Sequence, residues 1–297
     1  MKRERLSRTS QLIAASLLYA AARPELARFI PSEDLELYRK RLPLCSGYAR
    51  RLAVLSHPGV RLASGMLEKF LLPGIVAHYV IRKLILWQIA EQAVRAEGLR
   101  QVVILGAGLD LLGRRLAVGF PELTVFETDR AQSIAMKEML LGRDHPGNLV
   151  LHPHDLDSTP VEDALQSAQG FARDRPTMVL AEGMLMYCPL EEVRRLFLSL
   201  QVLFAHPLRL VFTFMEADPC GRVRFRGQSP LVAWWLTRSG EAFRWGMSAD
   251  AMALLLSQAG FALDRTVDSA AFAAEQNLLP ANTVPPASGE LIAMARS

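Results

Sequence analysis

The residues best placed to do chemistry sit at the ends of four short apolar runs. Gly106-Ala107-Gly108-Leu109-Asp110 follows the run Gln101–Leu105. Glycines there let a ligand approach the backbone, at the strand edge where open α/β sheets bind ligands. Leu111 stands where a dinucleotide fold has its third glycine, which counts against a pyrophosphate on the next helix. Further on, Phe126-Glu127-Thr128-Asp129 ends a second run. An acid at that spacing from a glycine turn can accept hydrogen bonds from both hydroxyls of a ribose. Glu127 and Asp129 share one face of the strand, and Asp129 is preferred. A plain surface carboxylate is the alternative.

The third run ends His152-Pro153-His154-Asp155-Leu156-Asp157. Asp155 can accept from an adenine amino group. His152, His154 and Asp155 could instead ligate zinc or iron, although no further ligand cluster accompanies them. The fourth run ends Ala181-Glu182-Gly183-Met184-Leu185-Met186-Tyr187. Glu182 at the ligand edge can face a positive or amino group, and Tyr187 can orient a second ligand through its phenol. Otherwise Glu182 caps the next helix and Tyr187 fills the core. There is no G-x-S-x-G elbow and no P-loop, so hydrolase and nucleotide-triphosphatase readings lack their key parts.

The elements that must position these residues are legible in outline. Up to residue 100 the pattern is helical, near 9–23, 33–41, 47–56, 63–71 and 75–97, punctuated by Pro24, Pro31, Pro43, Pro58 and Pro73. From Gln101 it changes to Gln101–Leu105, Leu123–Glu127, Leu149–His152, Thr177–Glu182 and Leu208–Phe214 as strands, with helices such as Ala131–Leu141 and Leu190–Phe204 between them. Continuous apolar strands alternating with helices mean βαβ units and a sheet buried on both faces. Ala249–Ala259 reads as a helix. Phe261–Val267 and Glu290–Ala295 read as a strand pair joined by a Pro- and Ala-rich loop and adding an antiparallel edge. The division expected is a helical N-terminal cap, 1–100, and an α/β core, 101–297, with a lid insertion at about 217–247.

Composition sets looser bounds. The 297 residues are half apolar and carry a net charge of +4, a weak argument for an anionic substrate and none for nucleic acid. Cys45, Cys188 and Cys220 are few and far apart, which fits a reducing cytosol. Lys2-Arg3-Glu4-Arg5 before the apolar run Leu12–Ala22 could be the start of a signal peptide; an amphipathic helix capped near Thr9 or Ser10 is the preferred reading. That run is too short to span a bilayer. In the insertion, Arg222, Arg224 and Arg226 alternate around Phe225 near Trp234, Trp235, Phe243 and Trp245. An acceptor lid with an anion-binding strip and a solvated loop over an aromatic cluster both fit, and RNA binding fits less well.

In order along the chain, Gln101–Leu116 (QVVILGAGLDLLGRRL), Phe126–Asp129 (FETD), His154–Leu156 (HDL), Met178–Pro189 (MVLAEGMLMYCP) and Gly240–Met247 (GEAFRWGM), with Gly260–Phe261, resemble one family. It is the family of leucine carboxyl methyltransferases and tetracenomycin-type polyketide O-methyltransferases. The resemblance implies a Rossmann-like class I methyltransferase fold, α/β, with a mostly parallel seven-stranded sheet. It also implies S-adenosyl-L-methionine as cofactor. The family's glycine turn falls on Gly106, Ala107 and Gly108, its ribose acid on Asp129, and its adenine-contacting pair on Asp155 and Leu156. Its glutamate after the fourth strand falls on Glu182, and the arginine that holds the cofactor carboxylate on Arg82. Tyr187 is the candidate for positioning the acceptor. Relatives often read G-x-D-T-R where this chain has Leu111 and Leu112 in the last two places. The expected reaction is O-methylation of a small acidic or polyketide-like molecule in the cytoplasm, without nucleic acid or membrane and without a resident metal. Transfer to sulfur or nitrogen, and a cofactor-binding protein without turnover, are the alternatives.

Overall fold

The computed structural model describes residues 8–52, 57–143, 145–155, 160–205 and 207–297. Seven strands form one sheet: β1 (Gln101–Leu105), β2 (Thr124–Asp129), β3 (Leu149–Pro153), β4 (Thr177–Ala181), β5 (Leu208–Met215), β6 (Ala262–Asp268) and β7 (Glu290–Arg296). Their order is β3-β2-β1-β4-β5-β7-β6. β1 to β5 pair in parallel, and β7 runs antiparallel to both of its neighbours. The final strands form the antiparallel edge pair expected. β7 is inserted between β5 and β6, and β6, at the edge, runs the same way as β5.

The chain winds outward from β1 to β3 and then returns to β4. The carboxyl ends of β1 and β4 thus flank the point where the winding reverses, which is where such sheets open a crevice.

The helices are α1 (Arg8–Ala20), α2 (Pro24–Ala27), α3 (Ser32–Cys45), α4 (Gly47–Leu52), α5 (Pro58–Leu71), α6 (Ile75–Glu97) and α7 (Leu112–Gly119). They continue as α8 (Ala131–Leu141), α9 (Val161–Ser167), α10 (Leu190–Leu203), α11 (Pro230–Ser239), α12 (Ala249–Gln258) and α13 (Ser269–Glu275). Strand side chains alternate between faces. Val102 and Ile104 join the core built with α1, α3, α6, α7 and α8, whereas Val103 and Leu105 join the core built with α9, α10 and α12. The long helix α6 belongs to the layer that covers the sheet, where it packs against α7 and α13. α1, α3 and α4 pack outside it as a further helical group.

Three local features depart from the sequence reading. α3 runs through Pro43 to Cys45 instead of stopping at residue 41. Proline removes one donor, but Leu42 is fully buried and Tyr38 Oη donates to the Leu109 carbonyl at 2.9 Å, so packing holds the last turn in place. α11 lies inside the insertion. Its signals were present: Ser229 caps it at the Leu231 N–H, Pro230 opens it, and Gly240 ends it with a positive φ of 74°. α7, α9 and α13 are short and gave no clear period. No single helix among the described residues is long and apolar enough to cross a membrane.

The helical group docks on the core partly through charge. Asp34 of α3 is buried and faces Arg115 of α7 at 3.5 Å and Arg114 at 4.0 Å. Burial pushes its carboxyl up to about 7, with Arg115 pulling down and Asp110 pushing up. A folded-state value raised above the unfolded one means that stability is fully present at low pH and is lost as pH rises toward 7. Asp34→Asn, which mimics the neutral acid, is expected to match the wild type near pH 4 and to exceed it by at least about 1 kcal/mol at pH 8. Denaturant titrations of both proteins across that range check this. A less stable variant at pH 8 would mean that the arginine pairing outweighs desolvation.

Candidate active site

The turn after β1 is shaped by two glycines in the left-handed region, Gly106 at φ 64° and Gly108 at φ 51°. A Cβ on Gly106 would lie 2.6 Å from Met184 Sδ. The Gly106 and Ala107 N–H groups donate to the Thr128 carbonyl at 2.8 and 3.2 Å, which ties the turn to the end of β2. The Asp129 carboxylate lies against this turn. It accepts from Gly108 N at 2.8 Å and from Arg130 N at 2.7 Å. Each oxygen keeps a further lone pair for a ligand.

Glu127 shares that strand face but has another task. It is 1 % exposed, and Lys137 of α8, equally buried, holds it at 2.8 Å. Burial raises its carboxyl while Lys137 pulls it down, and the net shift is upward. A Cβ on Gly113 would lie 2.2 Å from Glu127 Oε1, so α7 sits directly over it.

A chain of alternating charges crosses the floor. His78 Nε2 lies 2.8 Å from Glu290 Oε2, and Arg82 Nη1 donates to the same oxygen at 2.6 Å. The other edge of the Arg82 guanidinium donates to Glu182 through Nε at 2.9 Å and Nη2 at 2.8 Å. Lys83 reaches Glu182 at 3.1 Å and pairs with Asp110, whose carbonyl accepts from Lys137. Burial alone would raise Glu290, but Arg82 and His78 outweigh it and hold the carboxyl down at about 2. Burial likewise works against the Lys83 ammonium, yet Asp110 and Glu182 hold it above the usual lysine range. Arg82 spends three of its five N–H groups here. A Cβ on Gly183 would lie 3.8 Å from Arg82 Nη2, so the glycine sits directly beside the guanidinium, which is 3 % exposed.

After β4, a 3-10 turn at Leu185–Tyr187 carries Tyr187, whose ring tilts against Phe243 at 5.6 Å. Burial drives the phenol well above its ordinary range, which keeps it protonated. The strap Phe243–Met247 fixes this turn. Arg244 N donates to the Met186 carbonyl at 2.9 Å, and the Trp245 indole donates to the Leu185 and Cys188 carbonyls at 3.1 Å.

The described residues expected at the site, Arg82, Gly106, Ala107, Gly108, Asp129, Asp155, Glu182 and Tyr187, all line one cleft of about 590 Å³. Leu156 lies outside the described residues. α1 covers part of the cleft with Thr9, Ser10 and Ile13, and its first turn is held by Glu241, which accepts from Arg8 N at 3.0 Å and Thr9 Oγ1 at 2.5 Å. Sequence reasoning missed Lys83, Asp110, Glu241 and Glu290. The available hint was His78, Arg82 and Lys83 within the largely apolar first half of α6.

Two alternatives from the sequence are not formed. Arg222 pairs with Asp218 and Arg226 with Glu216, each at 2.7 Å, and neither they nor Arg224 line the cleft, so they make no anion-binding strip there. Short carboxylate-bearing turns beside them took up the charge. His152 contacts Ser167 at 3.3 Å and Asp155 faces Arg130 at 3.5 Å. Among the described residues no three His, Cys, Asp or Glu side chains converge as metal ligands.

The leucine carboxyl methyltransferase family profile matches residues 40–201, and the chain belongs to that family. An inferred S-adenosyl-L-methionine-dependent methyltransferase of Mycobacteroides abscessus is 33 % identical over 168 residues, covering 51 % of this chain and 52 % of the relative. Another inferred one, from Mycobacterium ulcerans, is 39 % identical over 107 residues, covering 35 % of this chain and 34 % of the relative. The matches thus span between a third and a half of these curated relatives. In fold, the chain is similar to an inferred methyltransferase of Thermobifida fusca, with a TM-score of 0.57 at 18 % identity over 81 % of this chain and 88 % of that one. A DUF574 family protein of Streptomyces avermitilis gives 0.56 at 16 % identity over 81 % and 91 %. The fold is the Rossmann-like class I methyltransferase fold.

The buried pair under the cleft makes a stability test. Glu127→Ala leaves the Lys137 ammonium buried without its partner and is expected to cost about 3–5 kcal/mol in a denaturant titration. A loss below about 1 kcal/mol would mean that water reaches Lys137.

Proposed function

We propose that the protein transfers the methyl group of S-adenosyl-L-methionine to an oxygen of a small acidic or polyketide-like acceptor. The observation that carries this reading is the Asp129 carboxylate fixed against the Gly106–Gly108 turn at the foot of the cleft, in a chain of this family. The cleft fits the group. At about 590 Å³ it is in the range of small-molecule sites. Asp129 would take the ribose hydroxyls, the bare turn would admit the adenosyl moiety, and Arg82, which lines the cleft, would take the carboxylate of the amino-acid end. Leu111 and Leu112 are packed in the core, so their departure from the family pattern leaves the turn intact.

When bound, the cofactor supplies an electrophilic methyl group on a sulfonium. The task of the chain is to hold the acceptor oxygen in line with it and to exclude water. Tyr187, kept protonated, is a hydrogen-bond donor and not a base. A carboxylate acceptor needs no base, because such acids titrate near about 4 and arrive ionised. That is why an acidic acceptor fits best.

Calorimetric titration with S-adenosyl-L-homocysteine and with NAD tests the cofactor. Saturable binding of the first alone is expected, and the reverse would sink the reading. Asp129→Ala is expected to weaken that binding by about 1–3 kcal/mol, because charge-assisted hydrogen bonds are lost. A labelled-methyl screen of carboxylic acids, phenols, thiols and amines tests the acceptor. With the acceptor so found, Tyr187→Phe is expected to lower kcat while cofactor affinity stays within about twofold. Unchanged turnover would remove Tyr187 from the acceptor site.

A further inference from the structure

Two helices beside the cleft turn apolar faces outward. On α5, Ala63, Met66, Leu67 and Phe70 follow the spacing of one helical face. Met66 is 54 %, Leu67 58 % and Phe70 77 % exposed, and Ala63 is exposed as well. The opposite face is the one that packs. A Cβ on Gly65 would lie 3.0 Å from Tyr19 Oη of α1, and Glu68 accepts from Val76 N at 3.2 Å and pairs with Arg23 at 3.3 Å. An amphipathic surface helix ordinarily buries its apolar stripe and shows its polar residues. The periodicity of the sequence reveals such a stripe but not which way it faces.

α11 repeats the arrangement. Ser229 N, at its cap, donates to the Leu71 carbonyl at 2.8 Å, so the first turn of α11 abuts the last turn of α5. Phe70 precedes that junction and Leu231 follows it. Val232 packs against the cluster of Leu72 and Phe225, and Leu236 is buried. On the other side of the helix Leu231 is 65 % and Trp234 62 % exposed. Scattered single exposed apolar residues are ordinary, but large ones gathered on two abutting helices mark an interaction surface.

The charges say what covers it. α5 and α11 contain one acid, Glu68, and it is turned inward and paired. The exposed charged side chains described on the two helices, Lys69 and Arg238, are both positive, and the Arg238 guanidinium lies 5.9 Å from the Trp234 ring centre. A second copy meeting this surface about a two-fold axis would bring the same cations and no exposed carboxylate of these helices to meet them. Cations beside exposed aliphatic, phenyl and indole groups suit an anionic lipid interface, where the apolar groups enter the acyl boundary and the cations meet the headgroups. We propose that the α5–α11 surface docks on an anionic lipid bilayer. α11 ends at Ser239, and Ser239, Gly240 and Glu241 line the cleft, so the docked surface continues into one wall of the site. The inference does not depend on the cofactor reading.

Co-sedimentation of the full chain with vesicles tests this. The wild type is expected to bind phosphatidylcholine vesicles containing about 30 % phosphatidylglycerol about tenfold more tightly than vesicles of phosphatidylcholine alone. Phe70→Ser combined with Trp234→Ser is expected to weaken binding to the anionic vesicles about tenfold or more. Lys69→Gln combined with Arg238→Gln is expected to bring the preference for them below about threefold. Phe70→Leu combined with Trp234→Phe keeps the face apolar and is expected to bind within about threefold of the wild type, which guards against a loss caused by poor folding. Wild type that binds neither vesicle, or both equally, overturns the inference. So does binding that the two serine substitutions leave unchanged. A dimer in light scattering that the serine substitutions dissolve would also overturn it and assign the surface to a second copy.

Discussion

The clamp on Arg82 is the interaction on which the site depends. Its guanidinium lies between Glu290 of β7 and Glu182 after β4, and both ends are buried. A buried charge is tolerable only when its hydrogen bonds are met on the spot, and removing one member of such a pair strands the other. The clamp therefore fixes three things at once: the depth of α6, the end of β4, and the start of β7. Lys83 extends it to Asp110 in the glycine turn, so the turn is held by charge as well as by its bonds to Thr128.

The inserted strand now has a physical reason. A parallel strand brings its last residue to the ligand edge of the sheet, whereas an antiparallel one brings its first. Glu290 opens β7 and pairs with Met215 at the end of β5. That direction alone delivers a carboxylate to the back of Arg82. Thr213 of β5 accepts from Gly183 N through its Oγ1 at 2.7 Å and so sets the turn beside Arg82.

Much of this was legible in the sequence, and the reason is that strands buried on both faces must be continuous apolar runs. β1 has the bounds expected, and the chemistry-bearing residues at the ends of β1, β2, β3 and β4 meet in one cleft because parallel strands all present the same end. The short helices α7, α9 and α13 were not legible, since seven or eight residues hold too few turns to show a period. Glu290 was not legible for a different reason. It lies 208 positions from Arg82, and nothing local announces a pairing that only the strand order creates. Arg222, Arg224 and Arg226 show the opposite failure. Their alternation is real, but neighbouring carboxylates, not the cleft, decide where such exposed cations point.

Net charge is a statement about the whole chain and not about the cleft. The chain carries +4, yet the cleft is lined by Asp110, Glu127, Asp129, Asp155, Glu182, Glu192 and Glu241 against Arg82, Lys83, Arg130 and Arg244. Counting the buried Lys137 against Glu127, the walls still hold more negative than positive groups. In a cleft with low-dielectric walls the local sum governs ligand charge, because fields from the outer surface are screened within about 8–10 Å. A cationic ligand is the one this cleft favours, and a methyl donor built on a sulfonium is of that kind. The carboxylates that line the cleft therefore suit the cofactor, whatever the sign of the charge summed over the whole chain.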